Sequence, residues 1–261
     1  MKPRVDEEWW KGLFDEVYLL TDARSVCDEQ LTCREVDFLQ GALEPDTSDP
    51  ILDLCGGQGR HSLELSGRGF TDVTVLDYSQ YLIDLGKERA EREGLDTVFI
   101  RGDARDTGLP QHRFRFIIVM ASSFGYFADD GENRKIITEA FRLLTPGGVL
   151  LLDLPNRAYV LKNFKTTSRH RVDEDIIVTR QREMGDNIIY SREIVISEKE
   201  GCLRDQRYLT RLYSPETISD MLHSAGFSTV TCEKDFMSRD GMGDYGSMTN
   251  RMVVVAEKGD G

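Results

Sequence analysis

An apolar run that breaks straight into a glycine cluster constrains this chain more than any other feature. Ile51-Leu52-Asp53-Leu54-Cys55-Gly56-Gly57-Gln58-Gly59-Arg60 reads as a short strand, a tight turn and the start of a helix over about 60–68. Missing side chains let a backbone pass close to a ligand, and a helix N-terminus offers unpaired N–H groups. The same strand-then-helix rhythm continues downstream. Val73–Leu76 is a second strand ending at Asp77, and Ser79 can cap a helix over about 80–93 that Gly94 stops. Thr97–Ile100 is a third strand, running into Arg101-Gly102-Asp103, and Phe116–Met120 is a fourth. A helix over about 131–144 closes before the turn signal Thr145-Pro146-Gly147-Gly148, and Val149–Asp153 is a fifth strand. Such alternation predicts βαβ units and a parallel sheet.

The flanks differ. Residues 6–20 read as one helix with Trp9, Trp10, Leu13, Phe14 and Val17 near helical spacing, and 28–43 as a second helix. From about 168 to 212, charged and β-branched residues alternate, with Gly185-Asp186-Asn187 and Glu200-Gly201 where turns belong. That pattern predicts an antiparallel meander with one polar face. Ser214-Pro215-Glu216 opens a helix to about Ala225, and Gly226 ends it. Phe227–Glu233 and Arg251–Glu257 are the final strands, and the glycine-bearing segment Ser238–Ser247 between them reads as a loop.

Composition narrows the function classes. A net charge of −13 over 261 residues repels a phosphate backbone, so broad nucleic-acid binding is disfavoured. No apolar run approaches the ~20 residues of a membrane span, and the start lacks an apolar signal-peptide core. Cys27, Cys33, Cys55, Cys202 and Cys232 are scattered without a CxxC pair, so neither a disulfide framework nor a metal site is expected and a cytoplasmic location is the natural reading.

Three strand tips point to a ligand. Besides the glycine turn, Asp77 ends the second strand 24 residues after Asp53, where an acid can accept from ribose hydroxyls. Gly102-Asp103-Ala104 ends the third, where a carboxylate can pair with an exocyclic amino group. Either acid could instead serve only as a helix cap.

The segments DLCGGQGR, VTVLDYS, RGDARD, FIIVMASSFGYF and LTPGGVLLLDLPN resemble class I S-adenosylmethionine-dependent methyltransferases of the small-molecule type, over about Phe14 to Lys258. The resemblance implies a Rossmann-like, seven-stranded, mostly parallel sheet of order 3-2-1-4-5-7-6, flanked by helices, with an antiparallel β insertion after strand 5. It implies S-adenosyl-L-methionine as cofactor and S-adenosyl-L-homocysteine as product. Asp53, Cys55, Gly56, Gly57 and Gly59 would line the methionine end. Asp77, with Tyr78 and Ser79, would hold the ribose. Gly102, Asp103 and Ala104 would meet adenine, and Met120 and Ala121 would lie against the cofactor's other side. The family often has glycine where Cys55 stands; cysteine is small enough for the turn to survive. The implied organisation is an N-terminal helical cap (1–45), a core (46–160 and 213–261) and the insertion (161–212) as acceptor lid or homodimer contact.

A sulfonium methyl is already activated, so the protein's task is positioning, which can contribute on the order of 7–11 kcal/mol. Tyr18 and Tyr126 are the candidates to orient a nitrogen or oxygen acceptor, with Tyr18 also closing over the cofactor. Phe127, Asn156, Arg157 and Arg211 are candidate acceptor contacts. His61, directly after the turn, reads as a packing or capping residue rather than a base. A nicotinamide-dependent oxidoreductase fits less well, because Ser62 stands where the fingerprint needs its third glycine. A tRNA or DNA methyltransferase fits less well, because Ala121-Ser122-Ser123-Phe124 replaces the Asn/Asp-Pro-Pro-aromatic motif of base-modifying enzymes.

Overall fold

In the computed structural model, described for residues 4–236 and 249–260, two sheets share the chain. The larger is built from β1 (Ile51–Leu54), β2 (Val73–Asp77), β3 (Val98–Arg101), β4 (Phe114–Val119), β5 (Leu144–Pro155), β10 (Phe227–Phe236) and β11 (Arg251–Lys258). Its order is β10-β11-β5-β4-β1-β2-β3, and only β11 runs against its neighbours. The implied seven-stranded Rossmann-like order is therefore present. The smaller sheet is the meander β6 (Thr167–Arg171), β7 (Ile176–Gly185), β8 (Ile188–Ser197) and β9 (Gly201–Arg211), antiparallel throughout.

Side chains alternate across the large sheet and bury both of its faces. Leu52, Leu54, Ile117, Val119, Leu150 and Leu152 pack with α7 (Asp130–Leu143) and α9 (Pro215–Ala225). Ile51, Phe116, Ile118, Leu151 and Val253 face α4 (Glu29–Leu43) and α5 (Arg60–Gly67). The helix α6 (Gln80–Glu93) covers β2 and β3 through Ile83, Ala90 and Phe99. Thus α4, within the segment read as a cap, is a flanking helix of the main sheet.

Capping explains most boundaries. Ser79 accepts from Leu82 N at the start of α6, and Gly94 ends that helix in the left-handed region. Gly226 ends α9 the same way after Ser214 and Pro215 open it.

Two expectations are corrected. Residues 6–20 are not one helix but α1 (Trp10–Leu13) and α2 (Glu16–Thr21), with α3 (Ala23–Val26) following. Phe14 leaves helical geometry, and the Asp15 carboxylate accepts from Val17 N and Tyr18 N, so a new helix begins there. The Thr145–Gly148 signal does not interrupt the chain direction. It is absorbed into β5 at an irregularity in the β4–β5 register. The Ser238–Ser247 loop lies outside the described residues.

The meander's inner face packs on the N-terminus: Trp9 and Leu13 cluster with Ile188, Tyr190 and Leu209. The short helices are thereby clamped between the small sheet and the carboxyl edge of the large one. The remaining helix, α8 (Arg157–Lys162), follows β5.

Candidate functional site

The carboxyl ends of β1, β2, β3 and β4 open into one cavity. Cys55, Gly56 and Gly57 line it from the first tip, Asp77 and Tyr78 from the second, Gly102, Asp103 and Ala104 from the third, and Met120 and Ala121 from the fourth. Tyr18, Tyr126 and Phe127 line it as well. The tips that the sequence singles out therefore face one another across a single crevice.

The glycine turn is tightly determined. Cys55 has φ 62° and Gly57 has φ 58°, so glycine's advantage at position 55 is conformational, and the turn forms with cysteine at a small cost. A Cβ on Gly56 would fall 2.6 Å from Cγ of Asp53. Cys55 N donates to Leu76 O at 2.8 Å, and Gly57 N donates to Asp77 Oδ2 at 2.8 Å. The other Asp77 oxygen accepts from Ser79 N at 2.8 Å, so this acid is both a cap and a cavity wall. Burial raises its carboxyl above the ordinary range.

Asp53 lies beneath the turn, fully buried. Its Oδ2 accepts from Ser62 Oγ at 2.9 Å, while Oδ1 has no partner among the described residues. Burial pushes its carboxyl up to about 7, against the pull of Ser62 and Arg60. A desolvated carboxylate with a free oxygen on a cavity wall fits a cationic ligand.

At the third tip, Arg105 grips Asp103 with two parallel bonds, Nε to Oδ1 at 3.0 Å and Nη2 to Oδ2 at 2.6 Å. Burial opposes ionisation of Asp103, but the guanidinium overcomes it and the carboxyl sits below its ordinary range. Oδ1 also accepts from Arg105 N at 2.9 Å, so Oδ2 is the oxygen more open to a ligand donor. Arg105 also lies 5.1 Å from the Trp10 ring and 4.6 Å from the Phe127 ring.

The roof is aromatic. Trp10 meets Tyr78 edge-on at 4.6 Å, and Phe14 stacks on Tyr126 at 5.6 Å and meets Tyr18 edge-on at 5.1 Å. Burial raises both tyrosine phenols, so they stay protonated and act as hydrogen-bond donors, not as bases. Trp10 and Phe14 also line the cavity, although the sequence pattern marks them only as a helix's apolar face. The signal was available in the doubled tryptophan, because such a face needs something other than one's own helix to cover. Two hydrogen bonds hold the roof down: Ser79 Oγ to Phe14 O at 2.6 Å and Gln58 Nε2 to Val26 O at 2.9 Å.

Other expected contacts lie elsewhere. Gly59 and Ser79 sit behind the cavity, where Gly59 makes room for Phe99 and Ser79 caps α6. Three acceptor candidates do not line the cavity. Asn156 is buried and bonds Asn250 Oδ1 at 2.9 Å while capping α8. Arg157 is spent on Asn187 Oδ1, at 3.0 and 2.8 Å, clamping the core to the β7–β8 turn. Arg211 donates to Ala128 O and faces Asp130, holding the loop after β4. All three are taken by long-range polar partners that local sequence cannot reveal. His61 lines the cavity but is bonded to Glu35 at 2.9 Å, and burial beside Arg60 lowers it to about 4, so it is neutral near pH 7.

Residues 51–148 match the methyltransferase domain family. The chain is 27% identical over 209 residues to the glycine/sarcosine N-methyltransferase of Aphanothece halophytica, covering 77% of this chain and 75% of that one. It is 26% identical over 205 residues to the ubiquinone/menaquinone biosynthesis C-methyltransferase UbiE of Dinoroseobacter shibae, covering 74% and 72%. A solved S-adenosylmethionine-dependent methyltransferase from Clostridium acetobutylicum superposes with a TM-score of 0.74 at 18% identity, covering 93% of this chain and 96% of that one. The chain carries a methyltransferase domain, and its fold is that of S-adenosylmethionine-dependent methyltransferases.

Its cofactor is S-adenosylmethionine. The methyltransferase's cavity fits that cation on two observations: the partnerless Asp53 oxygen and the side-chain-free cradle at Gly56 and Gly57. Ser62, at the place of the third dinucleotide glycine, is committed to Asp53. Among the described residues no helix of the methyltransferase is long and apolar enough to cross a membrane.

Proposed function

We propose that the enzyme methylates a nitrogen or oxygen of a small-molecule acceptor, and that catalysis is mainly positioning. In this reading Asp53, Gly56 and Gly57 hold the methionine end of the cofactor. Asp77 and Tyr78 hold the ribose, Asp103 and Ala104 the adenine, and Met120 and Ala121 pack beside it. Bound there, the cofactor supplies a methyl on a positively charged sulfur; the acceptor's lone pair forms the new bond while the old bonding pair stays with sulfur. Tyr18 and Tyr126 orient the acceptor through hydrogen bonds to their protonated phenols, with Phe127 closing the wall.

The observation that carries this reading is the convergence of three strand tips on one cavity that contains an unsatisfied buried carboxylate oxygen. A small acceptor is supported by the aromatic side chains that cover the cavity, and by the −13 net charge, which opposes nucleic acid. The named relatives act on glycine, sarcosine and quinones. The meander serves as a lid, because its inner face covers the helices that roof the cavity. The cytoplasm is the expected compartment.

Isothermal titration with S-adenosylmethionine and S-adenosylhomocysteine tests the cofactor assignment; both should bind. Incubation with metabolite pools, read by mass spectrometry for a gain of one methyl, tests the acceptor class. Steep salt-dependent binding to tRNA, with methyl appearing only on RNA, would overturn the small-molecule reading.

A further inference from the structure

A second cavity opens between the N-terminal helices and the inner face of β8 and β9. It shares Phe14, Tyr18, Val26, Ala121 and Tyr126 with the first, so the two adjoin at residues that include both tyrosines expected to orient an acceptor. Its walls combine aromatic rings with buried charge.

The charges do not balance. Glu193, nearly fully buried, accepts from Arg180 Nε at 2.7 Å and pairs with Arg204 Nη1 at 3.3 Å. Arg180 also pairs with Asp22 at 2.9 Å, and Arg204 with Asp15. Of the charged side chains that line the cavity itself, two are carboxylates, Asp22 and Glu193, and one is a guanidinium, Arg204. Trp9, Phe14, Tyr126 and Tyr208 line the same space, and aromatic ring faces are electron-rich.

A further group points to a ligand. Ser122 lines this cavity, is 5% exposed, and its hydroxyl has no partner among the described residues. Ala121 and Ser122 have φ of 57° and 59°, two successive strained residues at the boundary of the two cavities. Such strain is held by the surroundings, here by Asp153 Oδ2, which accepts from Ala121 N at 2.8 Å.

We propose that this second cavity is the acceptor site and that it selects a compact aliphatic amine, bound as its ammonium. The inference rests on the methyltransferase reading and names the substrate class. The carboxylate excess and the ring faces attract the cation, and the Ser122 oxygen accepts one of its N–H groups. An anionic acceptor would meet Glu193 and Asp22 as like charges, and a neutral alcohol would leave the excess charge unanswered. For transfer, the ammonium loses one proton past the part-exposed Asp22 to solvent. The freed nitrogen pair then forms the N–CH₃ bond, the C–S bonding pair leaves with sulfur, and the product is an N-methylammonium.

The test uses three isosteres that differ in charge: cyclohexylamine, cyclohexanol and cyclohexanecarboxylate. Each is titrated calorimetrically into full-length enzyme saturated with S-adenosylhomocysteine. The amine should bind at least tenfold more tightly than the alcohol, and the carboxylate should not bind. Ser122→Ala should weaken the amine threefold or more, and Asp22→Asn at least as much, with S-adenosylhomocysteine affinity unchanged and thermal melting near wild type. Equal binding of amine and alcohol, tighter binding of the carboxylate, or an amine affinity indifferent to both variants would overturn the inference while the cofactor assignment stands. Failure of S-adenosylhomocysteine to bind wild type would instead overturn the cofactor assignment, and the acceptor role with it.

Discussion

Asp77 joins the tips of the first two strands through Gly57: its Oδ2 accepts from the Gly57 amide at 2.8 Å while Oδ1 accepts from the Ser79 amide at 2.8 Å. One carboxylate thereby sets the shape of the glycine turn, the start of α6 and one wall of the cofactor cavity.

Replacing it separates these roles. Asp77→Ala leaves two amides without their acceptor, at roughly 1–3 kcal/mol for the lost buried bonding. S-adenosylmethionine affinity should fall at least tenfold by calorimetry, while circular dichroism stays native. Asp77→Asn keeps one acceptor oxygen and should fall between. An unchanged dissociation constant in Asp77→Ala would mean that the ribose lies elsewhere.

Asp53 makes cofactor binding proton-linked. Its carboxyl, raised to about 7 by burial, is partly protonated at neutral pH in the free enzyme. A bound cation favours the ionised form, so binding should expel a fraction of a proton near pH 7. Titrations in buffers of different ionisation enthalpy read that number directly, and Asp53→Asn should abolish it. The sign for folding is opposite. The folded state holds the proton at pH values where the unfolded carboxyl, near 3.8, has lost it. Stability should therefore fall as pH rises from about 4 to about 7 through this group, and that component should vanish in Asp53→Asn. Buffer-independent binding heats would contradict the assignment.

Gly86 permits the approach of α6 to the turn. A Cβ there would stand 2.2 Å from Phe99 Cε1 and 2.8 Å from the Gln58 carbonyl oxygen. Alanine would gain up to about 1 kcal/mol in helix propensity, but relieving the overlap costs roughly 1–3 kcal/mol, and the backbone carbonyl cannot rotate away. Gly86→Ala should lower the melting temperature and weaken cofactor binding several-fold. A stabilised variant would show that α6 has room the packing does not suggest.

What could be read from sequence were the features that local chemistry determines. The turn at Cys55–Gly59, the cap at Ser79 and the stops at Gly94 and Gly226 each depend on residues within a few positions, and each stands where expected. The meander's turns at Asp186-Asn187 and Gly201 were legible for the same reason. The break at Phe14–Asp15 was local too, but apolar periodicity hid the capping acid.

The remainder depends on contacts distant in sequence. Arg157 looked well placed for an acceptor until Asn187 claimed it, and Arg211 until the loop at Ala128 did. Trp10 and Phe14 gained their role only when the meander pressed them over the cavity. The second cavity combines α1, α2, α3, the loop after β4, β8 and β9, and no linear motif spans that set.

Arg251 offers the sharpest test of how the cavity floor is supported. It is fully buried and pairs with Glu35 and with Asp153, whose Oδ2 also receives the Ala121 amide. Glu35 in turn pairs with Arg60 at 2.5 Å and with the neutral His61. Removing one partner from a buried pair costs roughly 3–5 kcal/mol, because the remaining charges stay desolvated and unpaired. Arg251→Met should therefore lower the melting temperature by roughly 6–20 °C, taking 2–4 °C per kcal/mol for a chain of this size. Loss of the guanidinium also raises the carboxyls of Glu35 and Asp153, so the deficit should be smaller at pH 5 than at pH 8. A deficit that is flat with pH would show that Arg251 acts through its packed stem against Phe236, 4.8 Å from its guanidinium, and not through its charge.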